Sequence, residues 1–286
     1  MHGTRSGRDE AVRAAGAGGT GGPTPPQGAP RPGDPVEATT TTTTAPRLTA
    51  GGGLDPLRRT ALLTGVLFLI TYATSIPAKF SFYAPLFEGS YVLGPGADTR
   101  VLWGALSEVI LVAANIGTAV VLFPVLRRQS EALALGFVTA RVMESVFISV
   151  GILSVLTVVT LRQDLSGAAG AEGAAVAAVG AALVALRQWT FNLGPGLVVG
   201  LGNGLILGYL MYRSRLVPRG MAVLGLVGGP LIVLSGAAVL MGVIDADSVW
   251  KLVAAGPEFL WELSLGGYLI VKGFKPSPIT TEARLG

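Results

Sequence analysis

The chain has 286 residues, of which 50% are hydrophobic and 13% charged, with a net charge of +4 and a mean hydropathy of +0.60. Soluble domains carry roughly 25% charged residues, so about half the usual charge is missing. Cysteine is absent and His2 is the only histidine. That excludes disulfides, the usual zinc, haem and iron–sulfur ligand sets, His-Glu-x-x-His metalloproteases and Ser-His proteases, so no metal site and no cofactor is expected.

The expected fold class is all-α: a polytopic transmembrane helix bundle of six spans, preceded by a disordered N-terminal tail. Residues 1–53 are rich in Gly, Pro, Ala and Thr and include the run Thr39 to Thr44. They have too few large apolar side chains to offset the entropy of ordering. This stretch reads either as a flexible cytoplasmic tail or as a mis-assigned start. Residues 54–274 form the expected membrane domain, and 275–286 a short cytoplasmic tail.

Within that domain the apolar runs place spans at about 60–76, 101–123, 134–160, 189–212, 221–243 and 256–271. Most approach the ~20 residues that cross ~30 Å of hydrocarbon. A cleaved signal is disfavoured for the first, because a long segment leads it and its apolar run is at the upper limit for one. Between the third and fourth runs, residues 165–186 are rich in Ala and Gly, with Val176, Val179, Leu183 and Leu186 at helical spacing. As a seventh span this stretch is too short, so it is expected as an external helix that lies on the bundle or leads into the fourth span.

The basic residues set an orientation. Arg47, Arg58, Arg59, Arg127, Arg128, Arg213, Arg215, Arg219, Lys272, Lys275 and Arg284 fall on one side of such a topology. Only Lys79, Arg100, Arg162, Arg187 and Lys251 fall on the other. The positive-inside rule then puts both termini in the cytoplasm. Arginine outnumbers lysine, and Ala, Gly and Val are abundant, as in a high-GC bacterial genome. The expected location is therefore a bacterial cytoplasmic membrane. The lipid bilayer is the expected partner. Nucleic acid is not, since no basic stripe with interleaved aromatics occurs. A small-molecule or protein partner, and the oligomeric state, are left open.

Five ionisable residues lie within the runs: Glu108, Arg141, Glu144, Glu258 and Glu262. A charge at the bilayer centre costs ~2.5–3.5 kcal/mol on insertion scales, so such groups face inward and pair. Arg141 and Glu144 share one helix face, as do Glu258 and Glu262. The expected polar cluster is Glu108, Asn115, Arg141, Glu144 and Glu262, in which a single arginine meets three carboxylates and leaves the group open to protonation. Glu258 is expected at the outer, wet interface and is secondary, with Asn192 and Asn203. The competing reading is an Arg–Glu pair that only locks helix packing. Asn115 and Thr118 fit simple interhelical hydrogen bonding. No catalytic residue is assigned.

The fourth run carries Gly196, Gly200, Gly204 and Gly208 at four-residue intervals, a pattern that lets a neighbouring backbone approach. Pro195 removes an N–H from its ladder and predicts a kink. The Gly-x-Gly spacings here are no nucleotide motif, for no strand precedes them and no Gly-Lys-Ser/Thr follows.

Several stretches carry a resemblance. They are Ala97-Asp-Thr-Arg-Val-Leu running on through Glu108, Ala114-Asn-Ile-Gly-Thr-Ala-Val, and Leu122-Phe-Pro-Val-Leu-Arg-Arg-Gln-Ser-Glu. Arg141-Val-Met-Glu144, Gly194-Pro-Gly, Tyr212-Arg-Ser-Arg-Leu-Val-Pro-Arg, Trp261-Glu262 and Leu269-Ile-Val-Lys-Gly-Phe follow in order. Over roughly Leu57 to Phe274 the chain resembles a bacterial membrane family defined only as a domain of unknown function, DUF4386. The resemblance implies a six-helix integral membrane protein and supplies no activity.

Three functions follow from these residues. An accessory or regulatory membrane component, with ion pairs fixing the bundle, stands first. A small proton- or solute-handling transporter stands close behind and would need a cavity reaching Arg141 and Glu262. A membrane-embedded enzyme directed at a lipid or quinone comes last, because no nucleophile–base pair is present.

Overall fold

The computed structural model describes residues 54–87, 91–94, 96–165 and 167–282. The tail expected over 1–53 lies outside them. All regular structure among the described residues is helical.

Helix α1 (Pro56–Pro77) starts as its sequence dictates: Asp55 accepts from the Leu57 N–H at 3.4 Å, and Pro56 takes the first helical position. Past Pro77 the chain widens into a π-helical turn, Ala78–Phe82, then a 3₁₀ turn, Ala84–Phe87. Helix α2 (Asp98–Leu126) and helix α3 (Glu131–Leu165) are joined by a basic turn, with Ser130 accepting from the Leu133 N–H at 3.3 Å.

The stretch expected as a helix over 165–186 runs directly into the one expected to start near 189. Helix α4 (Gly170–Leu193) begins at Gly170, whose φ of +62° suits glycine. It continues without a break through two π-helical stretches, Gly194–Val198 and Gly200–Leu207, into helix α5 (Gly208–Ser214). The rod Gly170–Ser214 is 45 residues long. No helix breaker occurs between Leu186 and Trp189, which is why the helix runs on. Pro195 lacks an N–H, and the ladder around it opens into wide π-helical turns.

Helix α6 (Arg219–Leu240) ends three residues before the expected boundary, and helix α7 (Val249–Val271) begins seven residues before its own. Ser248 caps α7 by accepting from the Trp250 N–H at 3.3 Å, so Lys251 falls inside the helix instead of ahead of it. A last short helix, α8 (Pro278–Glu282), follows.

Long-range contacts bring the basic turns to one end of the bundle. Arg58 donates to the Leu269 and Ile270 carbonyls at 2.8 and 2.5 Å. The Lys275 N–H donates to the Leu216 carbonyl at 2.8 Å, and Arg128 donates to the Ile279 carbonyl at 3.3 Å. The start of α1, the α2–α3 and α5–α6 turns and the end of α7 therefore lie together. At the opposite end Arg162 pairs with Asp98.

Five helical stretches are long and apolar enough to cross a membrane: Pro56–Phe82, Asp98–Leu126, Glu131–Leu165, Gly170–Ser214 and Arg219–Leu240. Helix α7 matches them in length, at 23 residues, but carries Lys251, Glu258 and Glu262. Large apolar side chains such as Leu106, Val109, Val120 and Leu153 face outward. One apolar core occupies the basic end, around Phe68, Leu122, Phe137, Met211 and Trp261. A second, around Tyr83, Val101, Val155 and Val159, occupies the other. The buried polar groups lie between them.

Candidate functional site

Four helices build the polar layer. The buried face of α2 runs Val101, Ala105, Glu108, Leu111, Asn115 and Leu122, so helical periodicity alone turns Glu108 and Asn115 inward. On α3 the same logic buries Arg141, Glu144 and Ile148. Arg141 donates through Nη1 to Glu144 Oε2 at 2.8 Å and through Nη2 to Asn115 Oδ1 at 2.6 Å. One guanidinium thus ties α3 to α2 and neutralises the carboxylate one turn on.

Glu108 has its own arginine. Arg187, 5% exposed, forms an ion pair with it, and the Tyr83 hydroxyl donates to its other oxygen at 3.0 Å. The Arg187 guanidinium lies over the rings of Tyr83 and Phe191 at 4.9 and 5.6 Å. Burial, then the Glu108 charge, push the Tyr83 hydroxyl well above its ordinary pKa, so it stays a donor. This corrects two expectations: Arg187 is not an external charge, and Arg141 is not the sole cation of the layer. The pattern that places Arg187 was present, since Gly173, Val176, Gly180 and Arg187 share the buried face of α4. Gly151 makes room, for a Cβ there would stand 3.2 Å from Arg187 Cδ.

On α7 the carboxylates lack such partners. Glu262 accepts from the Asn203 amide and lies 3.2 Å from the Tyr72 hydroxyl. That hydroxyl is also 2.9 Å from the Phe259 carbonyl and has one hydrogen for the two acceptors. Trp261 Nε1 donates to the Asn203 carbonyl at 3.0 Å and fixes the strip that presents Asn203. Glu258, expected wet at an interface, is instead 2% exposed, and neither carboxylate oxygen has a hydrogen-bond partner among the described residues. The earlier start of α7 moves it inward. Glycines make the room: a Cβ on Gly204 or Gly228 would stand 2.6 or 2.8 Å from Glu258 Oε2.

The glycine stripe faces α6. A Cβ on Gly200 would meet the Gly229 carbonyl at 2.6 Å, one on Gly208 the Leu226 nitrogen at 3.3 Å, and one on Gly236 the Gly196 carbonyl at 2.7 Å. Backbone lies on backbone along this seam.

Glu108, Asn115, Arg141, Glu144, Glu258 and Glu262 all line one cavity of about 470 Å³, the chamber. Tyr72, Phe259 and Phe191 line it too, as do Pro195 and Val199 of the irregular stretch after α4. Asn203 stands behind Glu262 outside the lining. Asn192 faces a second cavity of about 690 Å³, the vestibule, where it accepts from Lys251 Nζ. Chamber and vestibule share Lys79, Phe80 and Phe191, and Lys79 Nζ lies 4.2 Å from the Phe191 ring centre. No three metal-ligating side chains gather among the described residues.

The described residues thus form a helical bundle with an apolar exterior, internal ion pairs, five stretches long and apolar enough to cross a membrane, and an internal chamber. The chain belongs to the family described as a domain of unknown function (DUF4386), whose model matches residues 63–273 and so takes in every residue of the chamber. No curated protein and no solved structure matches it.

Proposed function

We propose that this chain is a small solute-handling membrane protein, a transporter or permease of six spans, whose substrate enters the chamber. Helix α7 supplies the sixth span, with its carboxylates turned inward from the lipid. Both termini and the basic turns lie on the cytoplasmic side of a bacterial plasma membrane, where the positive-inside rule puts such clusters. The first half of α4 and the end of α3 stand on the outer side.

The observation that carries this reading is the chamber. Ion pairs that served only as scaffold would need no space beside them, whereas here about 470 Å³ adjoins the paired and unpaired carboxylates and meets the vestibule at Phe191. Its wall includes the Pro/Gly-interrupted part of a long helix, a feature that marks substrate sites in many transporters. The accessory reading keeps one piece of support: Arg187–Glu108 and Arg141–Asn115 tie three helices together and serve as scaffold whatever the chamber does.

The chain has no cysteine, so single cysteines report access directly. Ser75→Cys and Ala255→Cys line the chamber, whereas Leu122→Cys lies in the core at the basic end. A small membrane-impermeant thiol reagent applied to intact cells should label the first two and spare the third. If the chamber cysteines stay unlabelled in intact and in permeabilised cells, the bundle is closed and the accessory reading stands.

A further inference from the structure

We infer that the ligand of the chamber is an amphiphilic amine, a protonated amino group on an apolar body, with Glu258 and Glu262 as its counter-charge. The inference rests on the solute-handling reading and names the chemistry of its substrate.

The charges of the chamber lead there. Glu144 is matched by Arg141 and Glu108 by Arg187. Glu258 and Glu262 remain, one helical turn apart on the same face of α7, with no salt bridge among the described residues. Glu262 has two neutral donors, Asn203 and Tyr72, and a carboxylate has about four lone-pair sites, so it retains capacity. Glu258 is 2% exposed, sits in the chamber wall and has no donor among the described residues. A buried carboxylate without a partner is costly, and an ammonium group with its three N–H donors is the complement these oxygens lack. The rings of Tyr72, Phe191 and Phe259 line the same space, and Phe191 already has the Lys79 ammonium over its face.

The rim decides between a bare cation and one carrying an apolar body. Of the residues lining the chamber, Ile76, Phe80, Leu252 and Phe259 are exposed, between 41% and 69%, and come from α1, the π-helical turn that follows it, and α7. A hydrated inorganic ion gains nothing from such a rim, whereas an alkyl or aromatic body buries apolar area against it. The vestibule side is guarded by Lys79, which repels a cation, so the apolar rim between α1 and α7 is the favoured entry. An amine of this kind could come from the headgroup of an amino-phospholipid or from a free lipophilic amine.

The test uses the full chain purified in detergent and in nanodiscs, with dodecylamine as the probe and dodecanol and dodecanoate as its uncharged and anionic counterparts. Saturable binding of dodecylamine, with the other two at least about tenfold weaker, is expected. Glu258→Gln and Glu262→Gln should each weaken dodecylamine by about tenfold or more, the scale of a charged hydrogen bond, while Glu258→Asp, which keeps the charge, stays within a few-fold of the wild type. Competition by nanodiscs of phosphatidylethanolamine but not phosphatidylcholine would assign the lipid source, and its absence the free amine. Equal binding of dodecylamine and dodecanol, or indifference to both Gln variants when they elute and melt as the wild type does, would overturn the inference. If Ser75→Cys and Ala255→Cys are labelled while amine and alcohol are not distinguished, only the ligand class fails. If they are not labelled, the solute-handling reading fails with it.

Discussion

The chamber has two unlike walls. On the α2–α3–α4 side each buried glutamate has an arginine: Glu108 with Arg187, Glu144 with Arg141. On the α7 side two glutamates one turn apart have, among the described residues, neutral donors or none. All four carboxylates line the same space. The difference teaches that residue type and burial do not assign a role; the partner set does. A carboxylate that already holds a guanidinium is satisfied in the empty protein, and removing its partner costs stability. One without a cation contributes little to the fold and is free to meet something else.

Perturbing the two walls should therefore have opposite results. The largest effect is expected for Arg187→Leu, which strands Glu108 in the interior with the Tyr83 hydroxyl as its remaining donor. A loss of about 3–5 kcal/mol is the usual cost of breaking a buried pair, read as a large fall in detergent melting temperature. The double variant Arg187→Leu with Glu108→Leu should recover most of it, and failure to recover would mean the pair is more than scaffold. Next comes Gly229→Ala, whose Cβ would stand 2.7 Å from the Gly200 carbonyl. Overpacking of this kind costs about 1–3 kcal/mol, and a melting temperature unchanged from wild type would show that the α6 seam is looser than its geometry. Tyr72→Phe removes one hydroxyl beside Glu262 and should cost about 0.5–1.5 kcal/mol in the same assay. The smallest change is expected for Glu258→Gln. It should melt within about 0.5 kcal/mol of the wild type, since one buried polar group without a partner replaces another of nearly the same shape. A large destabilisation by Glu258→Gln, comparable to that of Arg187→Leu, would erase the contrast between the walls.

Much of the architecture was legible in the residues. The apolar runs, the basic turns between them and the inward set Glu108, Asn115, Arg141 and Glu144 follow from periodicity and from the cost of charge in hydrocarbon. The glycine stripe could be read as a close approach, though not which helix approaches: α6 meets it because the α5–α6 turn is short. Two assignments went astray for one shared reason, that depth is counted from where a helix begins. With α7 taken to start near 256, Glu258 falls at an interface; with Ser248 as its cap, Glu258 lies about two and a half turns in. With a span taken to begin near 189, Arg187 counts among the charges of the outer side; in the unbroken rod it lies on the buried face and pairs with Glu108.

What the sequence by itself determined is the helical, apolar character of the chain, its order of helices and which faces carry charge, because these depend on neighbours within a few turns. Only the tertiary structure decided which carboxylate keeps an arginine and which does not. That choice is made by side chains from helices far apart in the chain, Arg187 reaching Glu108 across 79 positions and Asn203 reaching Glu262 across 59. Local periodicity has no means of specifying those distances, and the space left between the two walls exists only once all of them are set.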